Sequence, residues 1–202
     1  MRQNNRGRGS GPSSGIQGSH AADRSVKHSG QVFTPGFLVR NMLDYAGYVC
    51  GNILEKHIID NSCGAGAFLC EAVARYCSEY VANHDDNVGL KADLERFVHG
   101  IELDPVICAD CRSNLDGIAK DFGVENVGWD LLNTNALSVT RYDGQMDFVV
   151  GNPPYVRVHN LEEGYDEVKS FRFAEGGMTD LYLAFYELGL RMINGTGKLC
   201  YI

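Results

Sequence analysis

The chain has 202 residues, of which 44% are hydrophobic and 22% charged, and a net charge of −8. That composition suits one α/β domain with a sizeable core. No apolar run is long enough to span a bilayer, and no apolar signal core opens the chain. Neither a membrane-embedded nor a secreted protein is expected. The seven scattered cysteines suggest reduced thiols in a cytoplasm rather than a disulfide frame.

Residues 1–30 are rich in Gly, Ser and Asn. They carry Arg2, Arg6, Arg8, Arg24 and Lys27 against the single acid Asp23. With almost no large apolar side chains, this stretch cannot offset the entropy of ordering and is expected to be a disordered basic tail. The domain is expected to occupy residues 31–202.

From Gln31 onward, strand and helix patterns alternate. Thr34-Pro35 looks like an N-cap followed by Pro at the first helical position. Leu38, Met42, Tyr45 and Val49 then recur at helical spacing. A short strand at Ile58-Ile59 enters a glycine loop, and Leu69, Ala72, Val73, Tyr76 and Tyr80 mark the next helix. A second strand, Phe97 to Glu102, precedes another cap-plus-Pro start at Asp104-Pro105. The helix after it turns Cys108, Cys111, Leu115, Ile118, Ala119 and Phe122 inward and stops at Gly123. A third strand is expected near Trp129–Thr134 and a central one at Met146–Val150. A last helical stripe of Leu181, Ala184, Phe185, Leu188 and Met192 runs to Asn194-Gly195, and a fifth strand starts at Lys198. Such repeats predict a doubly wound, mostly parallel α/β sheet with its ligands beyond the C-terminal strand ends.

Two motifs at those strand ends stand out. Asn152-Pro153-Pro154-Tyr155 directly follows the central strand. Two prolines stiffen the backbone and remove N–H donors, the carbonyls remain as acceptors, and Tyr155 offers a flat face. That is a rigid site for a planar group bearing an NH2. Earlier, Asp60-Asn61-Ser62-Cys63-Gly64-Ala65-Gly66 turns from strand to helix. Its glycines allow close approach of a ligand, and the following helix presents free N–H groups. Glu102 ends the second strand, where an acid can accept from both hydroxyls of a ribose. Cys108 and Cys111 form only half of a zinc pattern and lie on an apolar stripe, so core packing is expected and no metal. The six histidines form no ligand cluster.

With Gln31-Val32-Phe33-Thr34-Pro35 placed before the glycine loop and the tetrapeptide after it, the chain resembles the gamma-type DNA adenine (amino) methyltransferases of restriction-modification systems. The resemblance implies a Rossmann-like fold that binds S-adenosyl-L-methionine (AdoMet). It implies that Phe33, Thr34, Asp60, Cys63, Gly64 and Gly66 surround the methionine part, with Asp60 near the amino group and Thr34 near the carboxylate. It also implies Glu102 on the ribose, Leu103 against the adenine, and Asn135 accepting from the adenine amine. The family has Asp at this last position, so Asn135 is a departure and Asp130 is an alternative. Catalysis would fall to Asn152, Pro153, Pro154 and Tyr155, acting on a flipped-out adenine. Similar tetrapeptides serve methylation of release-factor glutamine and of ribosomal RNA guanine. A non-catalytic AdoMet-binding fragment is a further alternative. Double-stranded DNA is the expected partner. The chain stops within the presumed fifth strand, so an incomplete sheet is expected, with sequence reading left to a C-terminal recognition domain or a partner subunit. Residues 156–180 are expected to be a mobile loop, in which Arg157 could touch a phosphate.

Overall fold

A computed structural model describes residues 34–156, 168, 170–174 and 180–202. The basic tail, Phe33, Arg157 and most of the loop expected over residues 156–180 lie outside the described residues. In chain order the elements are α1 (Gly36–Ala46), β1 (Ile58–Asp60), α2 (Ala67–Asn83), α3 (Leu90–Phe97), β2 (Val98–Glu102), α4 (Pro105–Asp121), β3 (Asp130–Asn133), β4 (Met146–Gly151), α5 (Leu181–Met192) and β5 (Ile193–Tyr201). Short 3-10 turns occur at Ala136–Ser138 and Arg172–Ala174.

The five strands form one sheet in the order β3-β2-β1-β4-β5, and every pairing is parallel. The doubly wound expectation therefore holds. Alternate residues of the central strands face opposite ways. Ile58, Phe148 and Val150 pack with Leu43 of α1, Leu69 and Val73 of α2, Leu94 of α3 and Leu115 of α4. Ile59 and Val149 pack with Ala184, Phe185 and Leu188 of α5. Each fully buried Leu or Ile contributes roughly 1.5–3 kcal/mol of transfer free energy. These two layers hold the sheet rigid behind its C-terminal edge.

Local signals explain several boundaries. Asp104 caps α4, its Oδ1 accepting from the N–H groups of Val106 and Ile107, with Pro105 at the first helical position. Cys108 and Cys111 are buried on the inward face of α4, as expected from their spacing. The start of α1 differs from expectation. Its N-cap is Pro35, not Thr34, and no side chain caps it. Its buried face is Val39, Leu43 and Ala46 rather than the stripe through Leu38, Met42, Tyr45 and Val49, and Tyr45 is 86% exposed. The helix ends at Ala46 because Gly47 adopts the left-handed conformation. Helix α5 ends at Met192, and β5 begins at once at Ile193, five residues ahead of the expected Lys198.

Candidate active site

The strand order reverses between β1 and β4, and the crevice beyond their C-terminal ends is where doubly wound sheets bind ligands. Four strands deliver polar residues to this edge: Asp60 from β1, Glu102 from β2, Asn135 just past β3, and Asn152 just past β4.

On the β1–β2 side, Asp60 is only 2% exposed. Its Oδ1 accepts from Ser62 N–H at 3.0 Å. Burial, with a smaller contribution from the charge of Glu102, raises its pKa to about 7. Gly151 faces it at the end of β4. A Cβ there would stand 2.6 Å from Asp60 Oδ1, and the residue's φ is +149°, so only glycine lets β4 pass this close to the acid. Glu102, 8% exposed, receives Gly64 N–H on Oε2 and Asp104 N–H on Oε1, both at 2.9 Å. One carboxylate thus fastens the glycine loop to the end of β2. No Lys or Arg among the described residues pairs with Asp60 or Glu102.

The glycine loop itself is tight. Cys63 N–H donates to Ile101 O at 2.9 Å, and Gly66 N–H to Cys63 O at 2.8 Å. Gly66 has φ +91°, and a Cβ on it would meet Cys111 Sγ at 2.8 Å. The Cys63 side chain is turned into the core, where contact with Cys111 and then burial push its thiol pKa far up. Cys63 therefore faces the ligand side with backbone alone. At Gly64 a Cβ would meet nothing within 4 Å, which leaves open space above the loop. Two buried acids lacking a protein cation, a backbone cradle and that open space fit AdoMet, which brings its own positive charge. Leu103 is 69% exposed at the rim. The backbone carbonyls of Glu102 and Leu103 each accept from Asn133 Nδ2 at 2.9 Å.

On the β4 side, Asn152 Nδ2 donates to Thr34 Oγ1 at 3.2 Å, across 118 residues of sequence. This bond fixes the amide, and Asn152 Oδ1 is left buried with no hydrogen-bond partner among the described residues. Thr34 is itself buried, so its hydroxyl serves the tetrapeptide instead of capping α1. Pro153 is buried, Pro154 half-buried and Tyr155 52% exposed. The Tyr155 hydroxyl donates to the carbonyl of Ile202. Its ring lies nearly parallel to Tyr182, with centroids 5.5 Å apart and an interplanar angle of 11°.

The two candidates for the adenine amine separate. Asn135 stands at the C-terminal edge, where its Oδ1 accepts from Leu137 N–H at 3.0 Å and caps the 3-10 turn. Asp130 lies at the opposite end of β3. It accepts from His99 Nδ1 at 2.6 Å, from Arg141 and from Tyr142, so it is removed from the crevice. Three residues not singled out from sequence also border the site. Asn61 Oδ1 and the Ser62 hydroxyl are buried with no hydrogen-bond partner among the described residues, and Asn133 pins Glu102 and Leu103. Among the described residues, no group of three or more His, Cys, Asp or Glu could hold a metal ion, and no helix is long and apolar enough to cross a membrane.

The sheet order and the crevice define the class: this is a Rossmann-like AdoMet-dependent methyltransferase fold. The same fold occurs in a solved DrdV-DNA complex (TM-score 0.66, 16% identity, 90% of this chain and 21% of that chain). It also occurs in the methyltransferase subunit of a type I restriction-modification system from Streptococcus thermophilus (TM-score 0.57, 18% identity, 86% and 35%). In sequence, the chain is 28% identical to the type II methyltransferase M.PaeR7I of Pseudomonas aeruginosa over 90% of this chain and 33% of that protein. Identity to M.BstVI of Geobacillus stearothermophilus is also 28%, over 87% and 33%. The chain spans about a third of the length of these curated relatives. Residues 95–202 match the Eco57I restriction-modification methylase family, and the chain belongs to that family.

Proposed function

We propose that this chain carries the cofactor-binding and catalytic part of a restriction-modification DNA methyltransferase. It acts on the exocyclic 6-amino group of a flipped-out adenine, with AdoMet as methyl donor and double-stranded DNA as partner. Residues 31–202 belong to the catalytic domain, and the cytoplasm is its place of action. Family membership and the names of the relatives support the restriction-modification setting.

The observation that carries the chemistry is the Asn152 amide. Its Nδ2 is held by Thr34, and its Oδ1 is buried and unpartnered. A buried acceptor without a donor costs roughly 1–3 kcal/mol, which a substrate N–H can relieve. An adenine amine is a poor nucleophile because its lone pair is delocalised into the ring. Asn152 Oδ1 and the Pro153 carbonyl each accept one amine hydrogen, which draws the nitrogen toward tetrahedral geometry and frees the lone pair. When bound, AdoMet would supply the electrophilic methyl group: the amine nitrogen takes the methyl, the sulfonium S–C bond breaks to leave S-adenosylhomocysteine, and the surplus amine proton passes to solvent. Fixed acceptors and positioning account for the catalysis, without a covalent enzyme intermediate. The target base is out of reach inside a duplex and must be extruded. Tyr155 stacks on its face, with Pro154 stiffening the turn. Asp60, Gly64, Gly66, Glu102 and Leu103 hold the cofactor, with Thr34 between the two half-sites.

The test uses the full-length protein with tritiated AdoMet and unmethylated bacterial genomic DNA. Tritium should be recovered as 6-methyladenine after digestion, and Asn152→Ala should abolish transfer. Label on cytosine, on ribosomal RNA guanine or on a release-factor glutamine would falsify this function.

A further inference from the structure

The aromatic side chains beside the tetrapeptide form a ladder. Tyr155 packs on Tyr182, Tyr182 lies 6.1 Å from Tyr186, and Tyr186 lies 6.4 Å from Tyr201 in β5. Tyr182 and Tyr186 are one turn apart on α5. They lie outside its inward face of Leu181, Ala184, Phe185, Leu188 and Met192. Helix α5 cannot easily swing away from the loop. Its inward face is buried against the sheet, and Leu181 N–H donates to Val156 O at 2.8 Å. That bond joins the helix start to the residue just after Tyr155.

The near-parallel pair at 5.5 Å falls within the offset-stacking range of aromatic side chains. Tyr182 therefore partly covers one face of the Tyr155 ring, and Tyr155 as a whole remains 52% exposed. The exposure must lie on the other face and the free edges. The hydroxyl donates to the carbonyl of Ile202. A ring backed on one side offers a planar ligand its other face.

We propose that Tyr182 is a positioning residue for base methylation. Packed flat against Tyr155, it holds that ring so that only the outer face receives the extruded base. This rests on the assignment of Tyr155 as the base-stacking residue. A target amine displaced by about an ångström from its acceptors loses up to about 100-fold in rate, so the backing ring acts on turnover rather than on cofactor affinity. Tyr186 contacts Tyr182 at an interplanar angle of 42° and restrains it in turn.

The experiment compares Tyr182→Phe, Tyr182→Leu and Tyr182→Ala in the full-length protein. It follows tritium transfer from AdoMet to unmethylated bacterial genomic DNA, with AdoMet affinity measured in parallel. Ala and Leu should lower kcat by about 10–100-fold with AdoMet Kd unchanged, and Phe should restore the rate. Leu keeps apolar bulk but has no flat face, so it separates stacking from space filling. If the Ala variant loses AdoMet binding, the contrast between Leu and Phe decides alone. Wild-type kcat in the Leu variant, or equal losses in Leu and Phe, overturns the proposal while leaving the adenine assignment standing. A wild-type protein that labels no adenine overturns both.

Discussion

With Asp60 at the cofactor's amino group, as proposed, cofactor binding should depend on pH in a direction that the residue's environment dictates. Burial raises its pKa from 3.8 to about 7. Below that value the carboxyl is mostly protonated and neutral, and a cationic amino group gains little from it. Above it the carboxylate is available. Affinity therefore rises as pH rises through 7. If only the ionised form binds, the apparent Kd scales as one plus the ratio of protonated to ionised Asp60. From pH 6.0 to 7.5 it falls about eight-fold, or about 1.2 kcal/mol. Up to about 0.9 proton should be released per AdoMet bound at pH 6.0. Calorimetry in two buffers of different ionisation enthalpy measures both quantities. Up to about pH 7.5 the ligand's own α-amino group stays mostly charged. Asp60→Asn should weaken binding and remove the slope. The same raised pKa gives the ligand-free protein a stability contribution that is fully present below pH 3.8 and lost as pH rises through about 7. A pH-independent Kd, or an unchanged slope in Asp60→Asn, would refute the assignment of Asp60 to the cofactor's amino group.

Two further substitutions test other parts of the edge. Glu102→Ala should weaken AdoMet binding by about 1–3 kcal/mol, the scale of charge-assisted hydrogen bonds, because it removes the proposed ribose acceptor and frees Gly64 N–H. Asn152→Ala, measured by the same calorimetry, should leave AdoMet affinity nearly intact, and equal losses in the two would contradict the division between cofactor and catalytic residues. Gly151→Ala should destabilise the fold by about 1–3 kcal/mol, since its Cβ would press 2.6 Å from Asp60 Oδ1. A urea midpoint that does not move would show that β4 can retreat from the acid.

What the sequence revealed depended on how local each signal was. The central strand Met146–Gly151, the capped start of α4 and the inward faces of α2 and α5 are all written in short-range patterns, and all appear where expected. The phase of α1 was not legible. Leu38, Val39, Met42 and Leu43 are apolar on adjoining faces, so two rotations fit the periodicity, and only packing against α2 and β5 selects Val39 and Leu43. Helix α3 is hard to read from sequence because it has only eight residues and its last one, Phe97, reads as the start of β2, which begins at Val98. At Thr34 the local pattern misled. Thr-Pro before an apolar run resembles a cap, yet the hydroxyl is engaged by Asn152, a long-range contact with no local signature. Tyr182 could have been found. Tyr182 and Tyr186 stand four apart on a helix whose other face is the apolar stripe through Leu181 and Leu188, and an aromatic pair off that face, at that spacing, is itself a signal.

The strand order also carries a kinetic consequence for how the protein is made. The interior strand β1 pairs with β2 on one side and with β4 on the other. Roughly 85 residues separate the end of β1 from the start of β4, and at about 5–20 residues per second of synthesis that interval is roughly 4–17 s. During that time the first three strands can assemble, but the far edge of Ile58–Asp60, wholly buried in the finished sheet, has no neighbour. An apolar strand with an open edge is a template for unwanted pairing. The seam between β1 and β4 therefore stays open after those to β2 and β3 have formed, and until β4 arrives the nascent chain is exposed to aggregation beside the proposed active site.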